Sequence, residues 1–461
     1  MILKIIKTTH NFCLISILIF CFSQNRALSA SKEPIISVLI LKDKKIRIRS
    51  DRSIPLIIKG KRFSNKKIKG LTLKKQKNRT TLIFDKNKQK IYDLKNKEKF
   101  LVRSSDRRGI WVGQKRYAGK LNIFISDNHI LVVNVLGIEK YLGSVVGSEM
   151  PAKWPLEALK AQAIASRTYA LKQKGNPLYD IDSTNMNQVY IGLEAGTHKT
   201  KRAVNSTRSL VLTYKNKLIN ALFHSSSAGM TENSQDVWKN KYPYLSSVKD
   251  FDKNNPKLRW NQKFSKSQLQ KLFPRIGGIN KIEILNVTST GRVKNVRIYG
   301  DYGTDQISGV DIRKRMNLKS NLVRFKFIEV NKTKSDNENP KLISTKSLED
   351  KPITYIVKMG DNLFDIAYRF NVNYQEIVVL NSIEDPSIIQ VNQILLIPRK
   401  PVNNVPTTEK ILVASGYGSG HGVGMSQWGA RYMASGGAKA EEILKHFYRG
   451  VKIRPFKRYF L

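Results

Sequence analysis

Four groups of residues in this 461-residue sequence have the types and spacing that chemistry requires. The first ends in Gly147-Ser148-Glu149-Met150-Pro151, where Glu149 follows an apolar helical run that begins near Glu139 and Tyr141 and precedes a Met-Pro turn. A carboxylate so placed is partly desolvated, which raises its pKa and suits it to proton transfer. Capping a helix or facing water is the commoner fate of a glutamate, and by its own chemistry alone Glu149 would be assigned to that fate. The second group, Ala161-Gln162-Ala163-Ile164-Ala165-Ser166-Arg167-Thr168-Tyr169-Ala170, sets Gln162 and Arg167 on a helix otherwise made of small and apolar residues. An arginine there needs a carboxylate or an anionic ligand, a structural ion pair being the more frequent answer. The third comprises Gln188-Val189-Tyr190 and His224-Ser225-Ser226-Ser227-Ala228-Gly229. His224 is equally a base, a ligand or a hydrogen-bonded structural histidine. The fourth is Gly418-Ser419-Gly420-His421-Gly422-Val423-Gly424-Met425-Ser426-Gln427-Trp428-Gly429-Ala430. Its glycines let backbone come close to a ligand or to another strand, and it lacks the Lys-Ser/Thr of a phosphate-binding loop.

The elements that must position these groups follow from the apolar periodicity. Short apolar runs between basic turns from Ile35 to about Leu136 predict strands. A short helix is expected over Ile138 to Val146, and a longer one from Leu156 to Lys172, with Pro155 suited to its first turn. Strand-like runs return from Val204 to about Phe327. Two polar, proline-containing stretches, 331–352 and 399–410, then flank a compact unit at 353–398. The apolar strand Ile411-Leu412-Val413-Ala414 resumes after them and needs a sheet to join, the nearest being the one left at Phe325-Lys326-Phe327. The expected fold class is α+β. A basic β-rich region (31–109) precedes a mixed α/β domain in two pieces (110–330 and 411–461), split by a small βααβ unit.

The compartment comes from the first 30 residues. Lys4 and Lys7 precede an apolar run from Phe12 to Phe22 and the small-residue stretch Ala27-Leu28-Ser29-Ala30, the pattern of a secretory signal. The run is short for a membrane span, although an uncleaved anchor is the other reading. Either way the body is expected outside the cytoplasm, in the periplasm or cell wall. Both cysteines, Cys13 and Cys21, fall inside the signal, so the mature chain offers neither disulfides nor thiolate ligands. Phe20 stands where lipidation of Cys21 would call for a small residue. The net charge of +47, from 82 Lys and Arg against 35 Asp and Glu, would point to nucleic acid in a cytosolic protein. Export removes that partner. What is left is attraction to an anionic envelope surface or a compositional bias of the source, with equal weight.

The 353–398 unit resembles a LysM domain. It has the opening Tyr355-Ile356-Val357-Lys358-Met359-Gly360-Asp361, a helix with Ile366-Ala367 and Phe370, the pair Leu380-Asn381, and the closing Leu395-Leu396-Ile397-Pro398. Asp361 is placed to cap its first helix and Asn373 its second. The resemblance implies binding to N-acetylglucosamine-containing glycans, with Gly360, Asp361, Asn362, Leu363, Asn381 and Ile383 as contacts. Val391-Asn392 stands where the family usually has a glycine.

Ser-Glu-Met-Pro, the Ala-Gln-Ala-Ile-Ala-Ser-Arg-Thr-Tyr helix, His-Ser-Ser-Ser-Ala-Gly and Gly-His-Gly-Val-Gly-Met-Ser-Gln, in that order, resemble the stage II sporulation protein D (SpoIID) family with its LytB-like relatives. The likeness spans roughly 110–328 and 411–452. It implies an exported lytic transglycosylase acting on MurNAc-GlcNAc strands poor in peptide, or a wall-binding protein that stimulates an amidase. Glu149 then matches the catalytic glutamate, and Gln162, Arg167, Gln188, Tyr190, His224, Ser225, His421 and Gln427 line or support the cleft. Some members bind zinc through His and Cys near the position of His224; without cysteine, no metal and no cofactor are expected here. Ser419 stands where an aromatic residue is common.

Overall fold

The computed structural model describes residues 33–457 except 52–53, 78, 85–86, 174–176, 185–186, 239, 332–351, 360, 371, 387 and 399–407. The signal segment and Gly360 thus lie outside the described residues. Two compact units emerge. The larger runs to Gln262 and continues over Gln270–Phe325 and from Ala414 onward; the smaller comprises Lys263–Leu269 and Lys326–Val413.

The larger unit opens with two antiparallel sheets. Its strands are β1 (Ile35–Asp43), β2 (Lys45–Arg49), β3 (Leu56–Gly60), β4 (Phe63–Ile68), β5 (Gly70–Lys75), β6 (Thr80–Phe84), β7 (Asn87–Leu94), β8 (Lys99–Ser104), β9 (Ile110–Val112), β10 (Lys115–Tyr117), β11 (Lys120–Ile125) and β12 (Ile130–Gly137). One sheet has the order β1-β12-β11-β8-β3-β4, with the two residues Ile181–Asp182 added parallel on the outside of β1; the other runs β10-β9-β2-β5-β6-β7. Alternation sends one face of each strand inward. Ile46, Ile48, Leu71, Leu73 and Leu82 belong to the same buried core as Leu56, Ile58, Val102, Leu121 and Ile123. Phe63 bridges the sheets at one end, meeting the Phe84 ring edge-on at 6.2 Å and that of Phe100 at 5.9 Å.

The boundary expected between 109 and 110 does not divide two units. Lys120 and Leu121 pair with Arg103 and Val102, Ile48 pairs with Val112, and one core continues from these strands into the helices that follow. The basic turns between the strands suggested a separate region because they interrupt the sequence pattern, but the inward-facing positions are continuous.

The strand β12 leads directly into the helix Ile138–Glu149, three residues longer than its apolar run predicts. Met150 adopts an extended conformation, and Pro151, which has no N–H to donate, ends the helix there. Glu149 is therefore the last helical residue. The Leu156–Lys172 helix follows immediately after Pro155 and is buried along nearly its whole length. Ala158, Ala161, Ala163, Ala165 and Ala170 permit that, because small side chains let neighbours pack on several faces. Those neighbours are the helices Ile138–Glu149, His198–Ser206, Gln427–Ser435 and Ala440–Phe447. The last two come from beyond the inserted unit.

The returning strand, Thr408–Tyr417, lies between Arg259–Phe264 and Val323–Asn331 in a three-stranded sheet, so it rejoins the chain where the sequence left a strand open. Within the larger unit Tyr417 N–H donates to Leu322 O at 3.0 Å and Gly418 N–H to Leu258 O at 2.8 Å. Further on, Phe223-His224 pairs in parallel with Met425-Ser426, and Lys452–Pro455 pairs with the strand at Leu210. No helix among the described residues is long and apolar enough to cross a membrane.

The smaller unit contains the expected strand, two helices and strand. Ile353–Ile356 pairs antiparallel with Ile394–Ile397, and the helices Leu363–Phe370 and Tyr374–Leu380 cover them. Its core is Val357, Leu363, Ile366, Ala367, Ile377, Leu395 and Ile397. Asn373 caps the second helix by accepting from Gln375 N–H at 3.0 Å. The first helix is capped one residue later than expected, by Asn362, whose Oδ1 accepts from Asp365 N–H at 2.9 Å. Asp361 instead accepts from Lys358 N–H at 2.9 Å, Tyr355 OH at 2.7 Å and Arg369 at 2.8 Å. Those three donors hold its carboxyl down at about 2, the Tyr355 hydroxyl contributing most.

Candidate functional site

A cavity of about 690 Å³ in the larger unit is lined by residues from every group singled out in the sequence, including Glu149, Val189, His224, His421 and Gln427. Among the described residues lining it, Glu149 is the only carboxylate. The end of its helix brings Glu149 to the wall. Val189 N–H donates to Oε1 at 3.0 Å, and the Gln427 amide donates to Oε2 at 3.1 Å. The pocket therefore depends on chain from both sides of the inserted unit. Burial raises the Glu149 pKa, and the two N–H donors, Val189 first, pull against that rise. Replacing Gln427 by leucine removes one stabiliser of the carboxylate. A pH titration of Glu149, followed by the chemical shift of its labelled carboxyl carbon, is expected to move upward in the variant; an unchanged or lower midpoint would contradict this hydrogen bond.

The glycine-rich segment fits where only glycine does. Gly424 has φ +74°, and a Cβ there would run into Leu222 O. Gly420, φ +108°, lies so close to His224 that a Cβ would come within 2.6 Å of the histidine Cβ. Close approach lets Met425-Ser426 pair beside Phe223-His224 and sets the two imidazoles with ring centroids 5.6 Å apart. The His224 Nδ1 donates to Val423 O at 3.1 Å, whereas His421 Nδ1 accepts from Val423 N–H at 3.1 Å. Both are held neutral by burial above all: the His421 pKa falls to about 3 and that of His224 also lies well below its ordinary value.

This donor set does not fit a zinc site of the His and Cys kind. His224 Nε2 is buried without a partner and offers one lone pair, but the His421 Nδ1 lone pair is engaged by the Val423 N–H and no cysteine follows Cys21 in the sequence. Among the described residues no group of three His, Cys, Asp or Glu could hold a metal ion.

The other expected residues stand behind the wall. Arg167, fully buried, forks onto Glu139 through Nε to Oε1 at 3.0 Å and Nη2 to Oε2 at 2.6 Å, and donates to Leu210 O at 3.0 Å. Its anionic partner is thus a carboxylate of this chain. Gln162 donates to Ser166 Oγ at 2.9 Å. Gln188 accepts from Tyr141 OH at 3.0 Å and donates to Ser166 O at 3.2 Å, which steadies the segment whose Val189 N–H reaches Glu149. The Tyr190 hydroxyl donates to Asn134 at 2.8 Å. Ser225 lines the cavity. In the smaller unit Leu363 is core, Ile383 packs against that core, and the Asn381 amide is used internally, exchanging hydrogen bonds with Leu396 N–H and C=O at 2.7 Å each.

Sequence reading missed Tyr169 as a lining residue, and also Asn187, Trp238, Tyr242, Arg313 and Asn321. Trp238 and Tyr242 had a signal, two aromatics in a polar loop. It also missed Asp250 and Asp252, which stitch the serine run. Ser227 Oγ donates to Asp250 at 2.5 Å, Ser226 Oγ to Asp252 at 2.5 Å, and Ala228 and Gly229 N–H to Asp252 at 2.7 and 2.8 Å. Burial, helped by the neighbouring Asp252, lifts Asp250 to about 6. A raised acid pKa means that the folded chain holds a proton the unfolded chain has lost, so this group's contribution to stability falls as pH rises from about 4 to 6 and is flat above. The melting temperature of Asp250→Asn, relative to the parent, is therefore expected to rise between pH 4.5 and pH 7.5; a falling difference would contradict the protonated state.

The larger unit is thus a mixed α/β domain, split by an insertion, that closes a pocket around one half-buried carboxylate among the described residues, and the smaller unit is a βααβ module. Comparison with known proteins gives these classes their names. Residues 126–214 match the family described as Stage II sporulation protein, and residues 355–398 match the LysM domain. The chain carries a SpoIID domain and a LysM domain. It is 29% identical over 355 residues to a stage II sporulation protein D of Bacillus amyloliquefaciens, covering 72% of this chain and 77% of that one. An uncharacterised protein of Brachyspira hyodysenteriae is 27% identical over 350 residues, 74% of this chain and 73% of its own length. An amidase enhancer of Bacillus subtilis is 31% identical over 317 residues, 68% of this chain but only 40% of the enhancer.

Proposed function

We propose that this protein is exported, binds peptidoglycan through its LysM domain, and cleaves the MurNAc-GlcNAc bond of glycan strands poor in peptide as a lytic transglycosylase. The observation that carries this reading is that the described residues lining the pocket include one carboxylate, half-buried and approached by an N–H on each oxygen. Glycosidases that activate water generally need two carboxylates, one as acid and one as base or nucleophile. One is enough when the attacking hydroxyl belongs to the substrate.

In that mechanism Glu149, protonated, gives its proton to the glycosidic oxygen as the bond from the muramic acid C1 breaks, and the GlcNAc side leaves as an alcohol. The resulting carboxylate then removes the proton of the muramic acid C6 hydroxyl, whose oxygen bonds to C1 and closes a 1,6-anhydro ring. No water is consumed, and Glu149 ends protonated as it began. A raised pKa favours the first step, and the Val189 and Gln427 donors stabilise the carboxylate needed for the second. Gln162, Arg167, Gln188 and Tyr190 hold the helices and the Val189 segment in place. His224, Ser225 and His421, with Trp238 as an aromatic face where Ser419 supplies none, line the sugar path.

A second reading, a wall-binding protein that stimulates an amidase, is favoured by the likeness to an amidase enhancer. Incubating mature protein with stem-free strands separates the two. The transglycosylase releases anhydro-ended fragments unaided, whereas a stimulator binds without turnover and raises cleavage only when an amidase is added. Removing 353–398 tests the anchor: turnover on soluble strands should persist while retention on insoluble wall is lost.

A further inference from the structure

The two arginines that are buried among the described residues of the larger unit have carboxylate partners. Arg167 forks onto Glu139, and Arg292 has Glu232 at 3.7 Å as well as Ser227 O at 2.6 Å. Arg313 has none. Half-buried, it belongs to the short helix Gly309–Arg315, which Ser308 caps, and it lines the same cavity as Glu149, as do Asn321, Ser419 and His421. Its Nε is buried without any hydrogen-bond partner, and no hydrogen bond or ion pair involves its remaining nitrogens among the described residues. Among the described residues nothing opposes the lowering of its pKa by burial, and its charge helps keep both His421 and His224 neutral. A half-buried guanidinium whose Nε is cut off from water and unpaired is costly unless an anion completes it, and its fork geometry suits a carboxylate.

The proposed glycan offers that anion in a form that depends on its state. Muramic acid carries a lactyl ether on O3. Where the stem peptide has been removed its carboxyl is free and charged; where the stem is attached the same carbon is a neutral amide. We propose that Arg313 is the receptor for a substrate carboxylate, the free lactyl carboxylate of stem-free muramic acid, and so selects stripped strands over stemmed ones. This rests on the glycan-strand reading above. Carboxylates at the ends of stem peptides have the same chemistry, and the test distinguishes them.

The experiment measures binding and product release by full mature protein and by its Arg313→Gln variant, on three probes: stem-free strands, the same strands with their lactyl carboxyls converted to methyl esters, and stemmed strands. Since the parent arginine is unpaired, the variant should melt no lower than the parent. The parent should bind stem-free strands about tenfold or more tighter than esterified ones, and Arg313→Gln should lose that margin while binding the esterified strands unchanged. Equal parent affinity for acid and ester, or a variant that keeps the preference, overturns the proposal even if anhydro products form. Preference for stemmed strands, abolished by the substitution, overturns the lactyl assignment in favour of the peptide carboxylates. Arg313-dependent binding without anhydro product leaves the receptor standing and removes the transglycosylase. Failure of the parent to bind any strand overturns both.

Discussion

Glu149→Gln should leave a folded protein that still binds glycan strands but whose turnover falls by a factor of about 10² to 10⁴, the usual contribution of a positioned general acid-base group. Glutamine preserves the volume and can still accept from Val189 N–H through its carbonyl oxygen, so a change in folding is not the expected cause. It cannot give up a proton to the glycosidic oxygen or take one from the C6 hydroxyl, so both halves of the reaction are lost together. The check is product release from stem-free strands measured beside strand affinity and the thermal midpoint. A variant with parental turnover would remove Glu149 from the chemistry.

The second large effect is on stability. Arg167→Met deletes the partner of a buried carboxylate, Glu139, and the donor that satisfies Leu210 O, and breaking such a pair on one side costs about 3–5 kcal/mol. Glu139 lies in the first turn of the helix that ends at Glu149, whereas Arg167 lies on the central helix against which the C-terminal pieces pack. The loss should therefore appear as a lower denaturant midpoint, with binding and turnover falling together rather than turnover alone. Arg167→Lys should rescue little, because an ammonium cannot fork onto both carboxylate oxygens. Parental stability in Arg167→Met would mean that the ion pair does not tie these elements.

What could be read from the sequence was whatever is written locally. Alternating apolar runs announced the strands, the Ala-rich run announced a helix buried on several faces, and the two polar stretches marked the inserted module. The α+β class followed from them, and the two families came from the resemblance of the ordered motifs. Helix ends were less legible: Glu149 extends a helix whose apolar pattern stops at Val146, and in the module Asn362 caps where Asp361 was expected, because Asp361 has better donors in Tyr355 and Arg369. Long-range pairing was not legible at all. Glu139 stood in one motif and Arg167 in the next, yet only the fold makes them partners. The dependence of the serine run on Asp250 and Asp252 came from two acids in an unremarked loop. Arg313 sits in the ordinary-looking stretch Asp311-Ile312-Arg313-Lys314-Arg315, and nothing local separates it from its solvated neighbours; it differs in being half-buried at the cavity with its Nε unsatisfied. Continuity of the core across the 109/110 boundary was hidden for the same reason, since sheet pairing between β2 and β9 or β8 and β11 leaves no trace in a single sequence.

The central claim is that one carboxylate, Glu149, drives an intramolecular displacement within the glycan. Its most direct test is mass analysis of the fragments released by the parent protein from one defined, stem-free strand. The reading predicts ends that are 1,6-anhydromuramic acid, lighter by one water than a reducing sugar, and none of them with Glu149→Gln. Fragments with ordinary reducing ends, or no fragments in the absence of an amidase, would contradict it.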